Sequence, residues 1–234
     1  MTLHRRTFIK RLGLGTAGVS VASSIPMRLL AGEELAQKHL PRSVPEAEKR
    51  FGEALPVRVK LSPLAGFWHT EVGALNQIMH MWPYSDMNER TRIRAEAVKA
   101  GIWPPPIGEF IDSMESKILI PAPFSPPLEP RKLGGIYEIR TYVYKPGSIP
   151  KVIDRWSGAI AERVKLSPLV GAWYSDLGTL NQWVHIWAYK DAGERERVRA
   201  EAVKRGIWPP PGGGDLLLKQ ENVLAVPAAF SPLQ

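Results

Sequence analysis

The stretch RVKLSPLAGFW at residues 58–68 returns as RVKLSPLVGAW at residues 163–173, an offset of 105 positions. The match extends without a gap over residues 58–106 and 163–211, and 32 of these 49 positions are identical. Self-similarity of this strength at one fixed offset indicates a tandem duplication. The chain is therefore expected to contain two copies of one module.

The second copy shows the clearer pattern of structural elements. Residues 136–145 alternate and are rich in β-branched and aromatic types, which predicts a strand. Apolar residues at helical spacing over 152–164 predict a helix that Ser148 can cap. Two further strands are expected at 169–175 and 180–189, joined by a short turn.

A second helix and a last strand complete this module. Asp191 and Glu194 form a capping-box pattern that opens the helix, and Gly206 ends it at the position that favours left-handed geometry. The last strand is expected at 222–228. The order β-α-β-β-α-β is the ferredoxin-like plan, so the fold class is α+β.

The strand at 180–189 carries apolar residues on both of its faces. An antiparallel sheet open to water on one side shows one polar face, which this strand does not. Helices can cover only one face, so a second sheet is expected to cover the other. We therefore predict that the two modules pack sheet to sheet, within one chain or between chains.

Several motifs of the second copy resemble a NIPSNAP domain. They are YEIRTYVYKPG at 137–147, SPLVGAW at 167–173, Leu180-Asn181 with His185, Trp187 and Tyr189, and Glu194-Arg195. The resemblance covers nearly all of residues 43–232 in two copies. It implies the dimeric α/β-barrel superfamily, in which ferredoxin-like modules pair through their sheets.

The first copy departs from this pattern at its start. At the same offset, residues 32–42 read GEELAQKHLPR, which keeps the proline but has no strand alternation. Either this segment is forced into the sheet or the first copy is incomplete. The expected division of the chain is a signal at 1–31, a first domain at 32–126, a linker rich in proline and glycine at 127–135 and a second domain at 136–234.

The first 31 residues contain basic residues and no acidic one. The run HRRTFIK at 4–10, followed by a short apolar stretch, resembles a twin-arginine export signal with Arg5 and Arg6 as the pair. Two alternatives stay open: a mis-assigned start, or a strand, since residues 3–13 can be laid over 137–147. With a functional signal the protein is periplasmic or otherwise extracytoplasmic, and without one it is cytoplasmic.

Composition argues against several classes of function. Most of the net charge of +8 lies in the first 31 residues, and the near-balanced remainder argues against a nucleic-acid partner. The chain has no cysteine, which excludes thiolate catalysis and cysteine metal sites. The histidines lack metal-ligand spacing and no window is long and apolar enough for a transmembrane segment. No metal or cofactor is therefore predicted.

The candidate pocket consists of polar and aromatic residues at equivalent strand positions. His80 and His185 each stand in N-x-x-x-H-x-W-x-Y, whose alternation places these side chains on one face. Such a histidine can bind or protonate a small ligand, although a histidine held structurally by a carbonyl or hydroxyl is the simpler alternative. The predicted pocket residues are Asn181, His185, Trp187, Tyr189 and Trp173, with Asn76, His80, Trp82, Tyr84 and Trp68 in the first copy.

Other repeated residues are expected to be structural. The paired tryptophans are interpreted as core, and the arginines of the second helix, among them Arg195 and Arg199, as a solvated, salt-bridged face. The tryptophan of Ile-Trp-Pro-Pro-Pro is expected to fold back on the core. The segments that contain Phe124 and Phe230 are expected to latch onto a neighbouring module.

These patterns predict a non-catalytic protein that binds a small ligand or another protein, with self-association or intrachain pairing through the sheets. The alternative is a small cofactor-free enzyme, oxygenase-like or isomerase-like, with a pocket inside the barrel, because the resemblance implies a superfamily that includes such enzymes. A third class is a purely structural homo-oligomer. A site closed by Trp183 and Trp187 would exclude the enzyme.

Overall fold

The computed structural model describes residues 43–212 and 214–234, so the predicted signal and the stretch 32–42 lie outside the described residues. The described elements are α1 (Val44–Arg58), β1 (Gly66–Val72), β2 (Ile78–Met81), α2 (Met87–Lys99), a 3-10 turn (Gly108–Phe110), β3 (Ile118–Pro121), β4 (Ile136–Tyr144), α3 (Ile149–Arg163), β5 (Leu169–Leu177), β6 (Gln182–Tyr189), α4 (Ala192–Lys204) and β7 (Leu217–Pro227).

Copy two, residues 136–234, forms the predicted ferredoxin-like unit. Its strands lie in the order β7-β4-β6-β5, all antiparallel, with α3 and α4 between them in the chain. β5 and β7 run longer than predicted, whereas β6 begins only at Gln182. Asn181 precedes it in the left-handed region at φ 58°, a conformation that asparagine tolerates in turns. The α+β fold class is confirmed.

Helix α4 begins and ends as its sequence predicts, and α3 begins after Ser148 as predicted but without the predicted side-chain cap. Asp191 Oδ1 accepts a hydrogen bond from the backbone N–H of Glu194 at 2.7 Å, and Gly206 after the helix has φ 66°. Ser148 stands at the N-cap position of α3, but its side chain makes no capping hydrogen bond within the described structure. Its backbone is already helical (φ −83°, ψ −15°), so the predicted Ser148 cap is wrong.

The last strand of each copy pairs with a strand of the other copy, an arrangement that we call the exchange. β7 pairs with β4 of its own copy and with β1 of copy one, while β3 of copy one pairs with β5 of copy two. The Phe-Ser-Pro segments follow the same exchange. Phe230 packs on Phe67 of copy one at 4.9 Å between ring centroids, and Phe124 stacks on Trp156 of copy two at 6.2 Å. The predicted latch is confirmed, and the sheets pair within one chain.

This exchange joins the seven described strands into one curled sheet, ordered β2-β1-β7-β4-β6-β5-β3. On its inner face, Trp68 of β1 meets Tyr137 of β4 at 5.5 Å, and Val170 and Trp173 of distant β5 join the same buried cluster. Helix α3 covers the outer face with Trp156. Every residue of β6 is buried, as its two apolar faces predict.

Copy one has no counterpart of β4 within the described residues. β4 lies between β6 and β7, and the equivalent place in copy one lies between β2 and β3, which are the two edges of the curled sheet. In sequence, that place corresponds to residues outside the described part of the chain. Both alternatives for the start of copy one, a segment forced into the sheet or an incomplete copy, therefore still stand, and self-association stays a prediction.

Candidate functional site

His185 lies buried on the helix-facing side of β6. Its residue surface is 1% exposed, and Trp156 of α3 lies over it at 4.7 Å between ring centroids. Its Nδ1 accepts a hydrogen bond from Nε1 of Trp187 at 2.9 Å. Because an indole N–H can only donate, a neutral His185 carries its proton on Nε2.

The Nε2–H of His185 has no acceptor among the described residues. Burial first, and then the charges of Arg140, Arg163 and Arg199, hold the pKa of His185 well below its usual range. The imidazole is therefore neutral near pH 7 and presents one buried donor. Leaving such a donor unpaired costs about 1–3 kcal/mol, so an acceptor placed there would be stabilising.

A cavity of about 190 Å³ lies beside His185, between the sheet and α4. Its charged lining comes from three elements: Arg140 of β4, Arg163 at the end of α3 and Arg199 of α4. Trp187 and Trp208 supply aromatic walls. Trp208 packs edge-on against Trp156 at 4.6 Å, as predicted for the tryptophan that folds back on the core. Trp183 and Trp187 thus do not fill the space beside His185.

Glu138, a fully buried residue of β4, gathers the arginines of this site. Its Oε1 accepts hydrogen bonds from Arg140 and Arg195 at 2.6 Å each, and its Oε2 lies 3.5 Å from Arg199 Nη1. Burial raises the pKa of Glu138, but the hydrogen bond from Arg195 and the charges of Arg140 and Arg199 outweigh it and lower the pKa. The ionised carboxylate therefore orients two of the guanidiniums that line the cavity.

Arg163 is 2% exposed and is held on three sides. Its Nη1 donates to Ser167 Oγ at 2.9 Å and its Nη2 to the Tyr189 hydroxyl at 3.1 Å. Its guanidinium lies over the Trp187 ring, 4.0 Å from the centroid. Its Nε has no acceptor in the described part of the chain. This arginine is fixed in place with one donor unused.

The cavity is therefore lined by hydrogen-bond donors in a positive field. Four arginines surround the single carboxylate of Glu138: Arg140, Arg163, Arg195 and Arg199. The donors of this group without an acceptor among the described residues are Nε2 of His185, Nε of Arg163 and Nε of Arg195. Arg199, whose side chain is 41% exposed, is held only loosely by Glu138. Guanidinium and imidazole N–H groups in this arrangement complement the oxygens of an anion, most simply a carboxylate.

Copy one repeats half of this arrangement. Arg58 donates to Ser62 Oγ at 2.8 Å and to the Tyr84 hydroxyl at 3.0 Å. Trp82 Nε1 donates to His80 Nδ1 at 2.8 Å, and the Arg58 guanidinium lies over the Trp82 ring at 4.3 Å. The duplicated residues thus fold into the same local contacts.

The other half of the site is found in copy two and has no described equivalent in copy one. His80 is exposed, whereas His185 is buried. Arg90 and Arg94 occupy the positions of Arg195 and Arg199, yet no carboxylate of the described residues forms an ion pair with either. β4 supplies the covering strand and its Glu138 in copy two.

The predicted pocket residues of copy two do not all meet. His185 and Trp187 line the cavity, and Tyr189 lies behind them as the partner of Arg163. Asn181 stands in the turn before β6 and is not part of the lining. The copy-one residues divide similarly: His80, Trp82 and Tyr84 lie near Arg58, and Asn76, with φ 58°, stands in the turn before β2.

Trp173 and Trp68 lie on the inner face of the sheet, away from the histidines. Trp173 folds back over Gly171, where a Cβ would stand 2.3 Å from the indole, and Trp68 folds over Gly66 in the same way. The repeated Gly-x-Trp motif is therefore a packing device. The prediction that these two tryptophans line the pocket is wrong, and the cavity lies on the helix side rather than inside the barrel.

Sequence reasoning missed the charged half of the site. Glu138, Arg140 and Tyr142 alternate on β4 and so share one face of a central strand. Charges on a covered strand face signal a paired, buried network, and this signal was available in the sequence. Arg195 and Arg199, predicted to form a solvated, salt-bridged face, do form ion pairs, but their partner is the buried Glu138 of β4; the prediction of a solvated face is wrong for Arg195, whose side chain is only 23% exposed.

Two kinds of feature are absent from residues 43–212 and 214–234. No group of three or more histidine, aspartate or glutamate residues in that part of the chain could hold a metal ion. No helix there has the length and apolar character needed to cross a membrane.

The fold and the site define an α+β protein of two duplicated modules, whose described strands form one curled antiparallel sheet and which carries a positive cavity on its helix side. The sequence model of the NIPSNAP family matches residues 38–126 and 137–232. The chain belongs to the NIPSNAP family.

Known proteins agree with this membership. The chain is 31% identical over 179 residues to Protein NipSnap homolog of Dictyostelium discoideum, covering 72% of this chain and 74% of that protein. It is 29% identical over 203 residues to human Protein NipSnap homolog 3A, covering 83% and 82%. A solved Lactobacillus acidophilus protein, provisionally assigned as a monooxygenase, superimposes with a TM-score of 0.57 at 9% identity, covering 80% and 89%. That last likeness shows the fold alone.

Proposed function

We propose that copy two binds a small carboxylate in the cavity beside His185. The observation that carries this proposal is the fully buried Nε2–H of His185, which lacks an acceptor among the described residues and borders a cavity lined by arginines. A carboxylate oxygen would satisfy this donor, and the second oxygen would face Arg163 or Arg199. Charge-assisted hydrogen bonds of this kind are the strong ones in proteins.

The state of His185 favours binding over catalysis. Its Nδ1 is occupied by the Trp187 N–H, and its Nε2 already carries a proton. A histidine in this state has no free lone pair with which to abstract a proton, so it cannot serve as a general base. Its lowered pKa also opposes the charged form. These features support a ligand-binding role over an oxygenase-like or isomerase-like one.

The test is a calorimetric titration of the purified protein with benzoate and with its neutral isostere benzamide. We expect benzoate to bind and benzamide to bind at least about tenfold more weakly, because a hydrogen bond to a charged group contributes about 1.5–3 kcal/mol. His185→Gln should weaken benzoate binding about tenfold or more. His80→Gln is the matched control and should leave it unchanged.

A second variant keeps this test decisive if His185→Gln does not fold. Arg199→Gln changes a partly exposed side chain and should leave the core intact while weakening benzoate about tenfold. Equal affinity for benzoate and benzamide, no binding of either, or equal losses in the His80 and His185 variants would contradict the proposal.

We also propose that the chain is exported through its twin-arginine segment. This proposal rests on the sequence HRRTFIK and the acid-free first 31 residues. Replacing Arg5 and Arg6 together by lysine should leave precursor in the cytoplasm, whereas Arg28→Lys should not. Cell fractionation measures both, and an unchanged distribution of the paired variant would remove the proposal.

A further inference from the structure

A second cavity, of about 380 Å³, adjoins the one beside His185. Tyr142, Trp208, Pro209 and Gln220 line both cavities, so the two cavities are neighbours that share these residues as walls. Tyr142 lies edge-on to His185 at 5.0 Å between ring centroids. A molecule held at His185 could therefore extend past Tyr142 and Trp208 into the second space.

The walls of the second cavity are mainly apolar. Tyr144 of β4, Val152 and Trp156 of α3, and Leu217 of β7 line it. Trp156 lines the second cavity, and its ring also contacts His185 and Trp208, which line the first. The charged half of the site thus gives way to an aromatic and aliphatic half.

The outer rim of the second cavity is polar again. Arg155 of α3 donates a hydrogen bond to Asp215 Oδ1 at 2.9 Å and another to the carbonyl oxygen of Gly212. Asp215 is 58% exposed, so this ion pair borders solvent. Among the residues that line the second cavity, Arg155 alone carries a charge. The one described charge in the second cavity is therefore already paired, and the remaining walls are mainly apolar.

We propose that the ligand is a monocarboxylic acid with an apolar tail. This inference rests on the proposed function, and it places the carboxylate at His185 and the tail along Trp156 and Trp208. A small inorganic anion would use the donors of the first cavity and gain nothing from the second. An apolar tail adds burial against aromatic and aliphatic walls, which is the usual source of affinity in largely apolar pockets.

The experiment is a calorimetric series with acetate, butanoate, hexanoate and octanoate, each below its micellar concentration. We expect the dissociation constant to fall about threefold to fourfold for each added methylene, as expected for burial of apolar surface. Octanol, which has the tail without the carboxylate, should bind much more weakly than octanoate.

Two variants test whether the second cavity holds the tail. Leu217→Trp should fill the cavity and remove most of the chain-length dependence. Leu218→Trp is the matched control, since Leu218 is the next residue of β7 and is 60% exposed. Should Leu217→Trp not fold, Val152→Phe fills the same cavity from α3.

The outcomes separate this inference from the proposed function. If benzoate binds through His185 but affinity does not rise with chain length, the tail assignment is overturned and the carboxylate site stands. A rise that Leu217→Trp and Leu218→Trp leave equally intact would also overturn it. If no carboxylate binds at all, the proposed function fails as well.

Discussion

Copies one and two share the arginine, serine, tyrosine, histidine and tryptophan of the site, yet their histidines differ in environment. His185 is buried and borders a positive cavity, whereas His80 is exposed. The difference lies in β4, which supplies Glu138 and Arg140 to copy two. The duplicated residues recur in both copies, but within the described structure only copy two has a central strand beside them that adds Glu138 and Arg140.

The largest expected difference between the copies concerns the buried carboxylate. Glu138→Gln should lower the free energy of unfolding by about 3–5 kcal/mol, because it leaves clustered arginines without their counter-charge. Glu96→Gln, which breaks the exposed pair with Arg92 in copy one, should cost less than about 0.5 kcal/mol. Urea unfolding at pH 7 measures both, and equal losses would contradict the assigned role of Glu138.

The pH dependence of stability should depend more on His185 than on His80. The folded-state pKa of His185 lies below its unfolded value, so the stability it contributes is present above about pH 6.5 and is lost as the pH falls. We therefore expect the free energy of unfolding to fall between pH 7 and pH 5. His185→Asn should remove most of this slope.

His80→Asn provides the comparison for that slope. Loss of water around the imidazole ring, and then the charges of Arg94 and Arg58, lower the pKa of His80 to about 4. By its surface area, however, His80 is an exposed residue, and that exposure carries more weight. Solvent at an exposed imidazole screens such effects, so this variant should change the slope less than His185→Asn does. A larger change of the pH slope in His80→Asn than in His185→Asn would contradict the prediction that His185 dominates the pH dependence of stability.

The tyrosines behind the histidines should differ more modestly. Tyr189 is fully buried and binds Arg163, with Glu138 Oε2 at 3.5 Å, whereas Tyr84 is half-buried and binds Arg58. Tyr189→Phe should cost about 1–2 kcal/mol because it leaves a buried guanidinium N–H without its acceptor. Tyr84→Phe should cost less, since water can replace the hydroxyl. Thermal unfolding of both variants checks this order.

The exchanged segments should show the smallest and most equal effects. Ser125 Oγ accepts from the backbone N–H of Ala172, and Ser231 Oγ accepts from that of Phe67, both at 3.0 Å and both across the copies. Ser125→Ala and Ser231→Ala should each cost about 1 kcal/mol. A loss in one variant only would contradict the prediction that the two hydrogen bonds contribute equally to stability.

The fold was predictable because its signals are local and repeated. The apolar residues on both faces of β6 predicted that both faces are covered, and the strands of the other copy, in the same curled sheet, cover the inner face. The site was predictable only in part. His185 and Trp187 share one strand, but Arg195 reaches Glu138 from 57 residues away, and only the packing of α4 on the sheet brings them together. On a helix considered alone, such an arginine is expected to face water.

The orientation of the tryptophans shows a second limit. Trp173 and Trp187 lie on neighbouring strands, which suggested one aromatic cluster. A bulge in β5 between Leu169 and Gly171 shifts the register, so Trp173 pairs opposite Val184 and faces inward. Alternation within one strand can be read from a sequence, but the register between strands depends on bulges that the sequence does not mark clearly.

Carboxylate binding by copy two, and not by copy one, requires that His185 be neutral and ready to donate a hydrogen bond from Nε2. A two-bond proton–nitrogen NMR spectrum of the imidazoles, recorded with and without saturating octanoate, tests this directly. We predict that His185 shows the Nε2–H tautomer at pH 7 and that its Nε2 signal shifts on ligand addition while the His80 signals do not. A protonated His185, a proton on Nδ1, or equal shifts at both histidines would contradict the account.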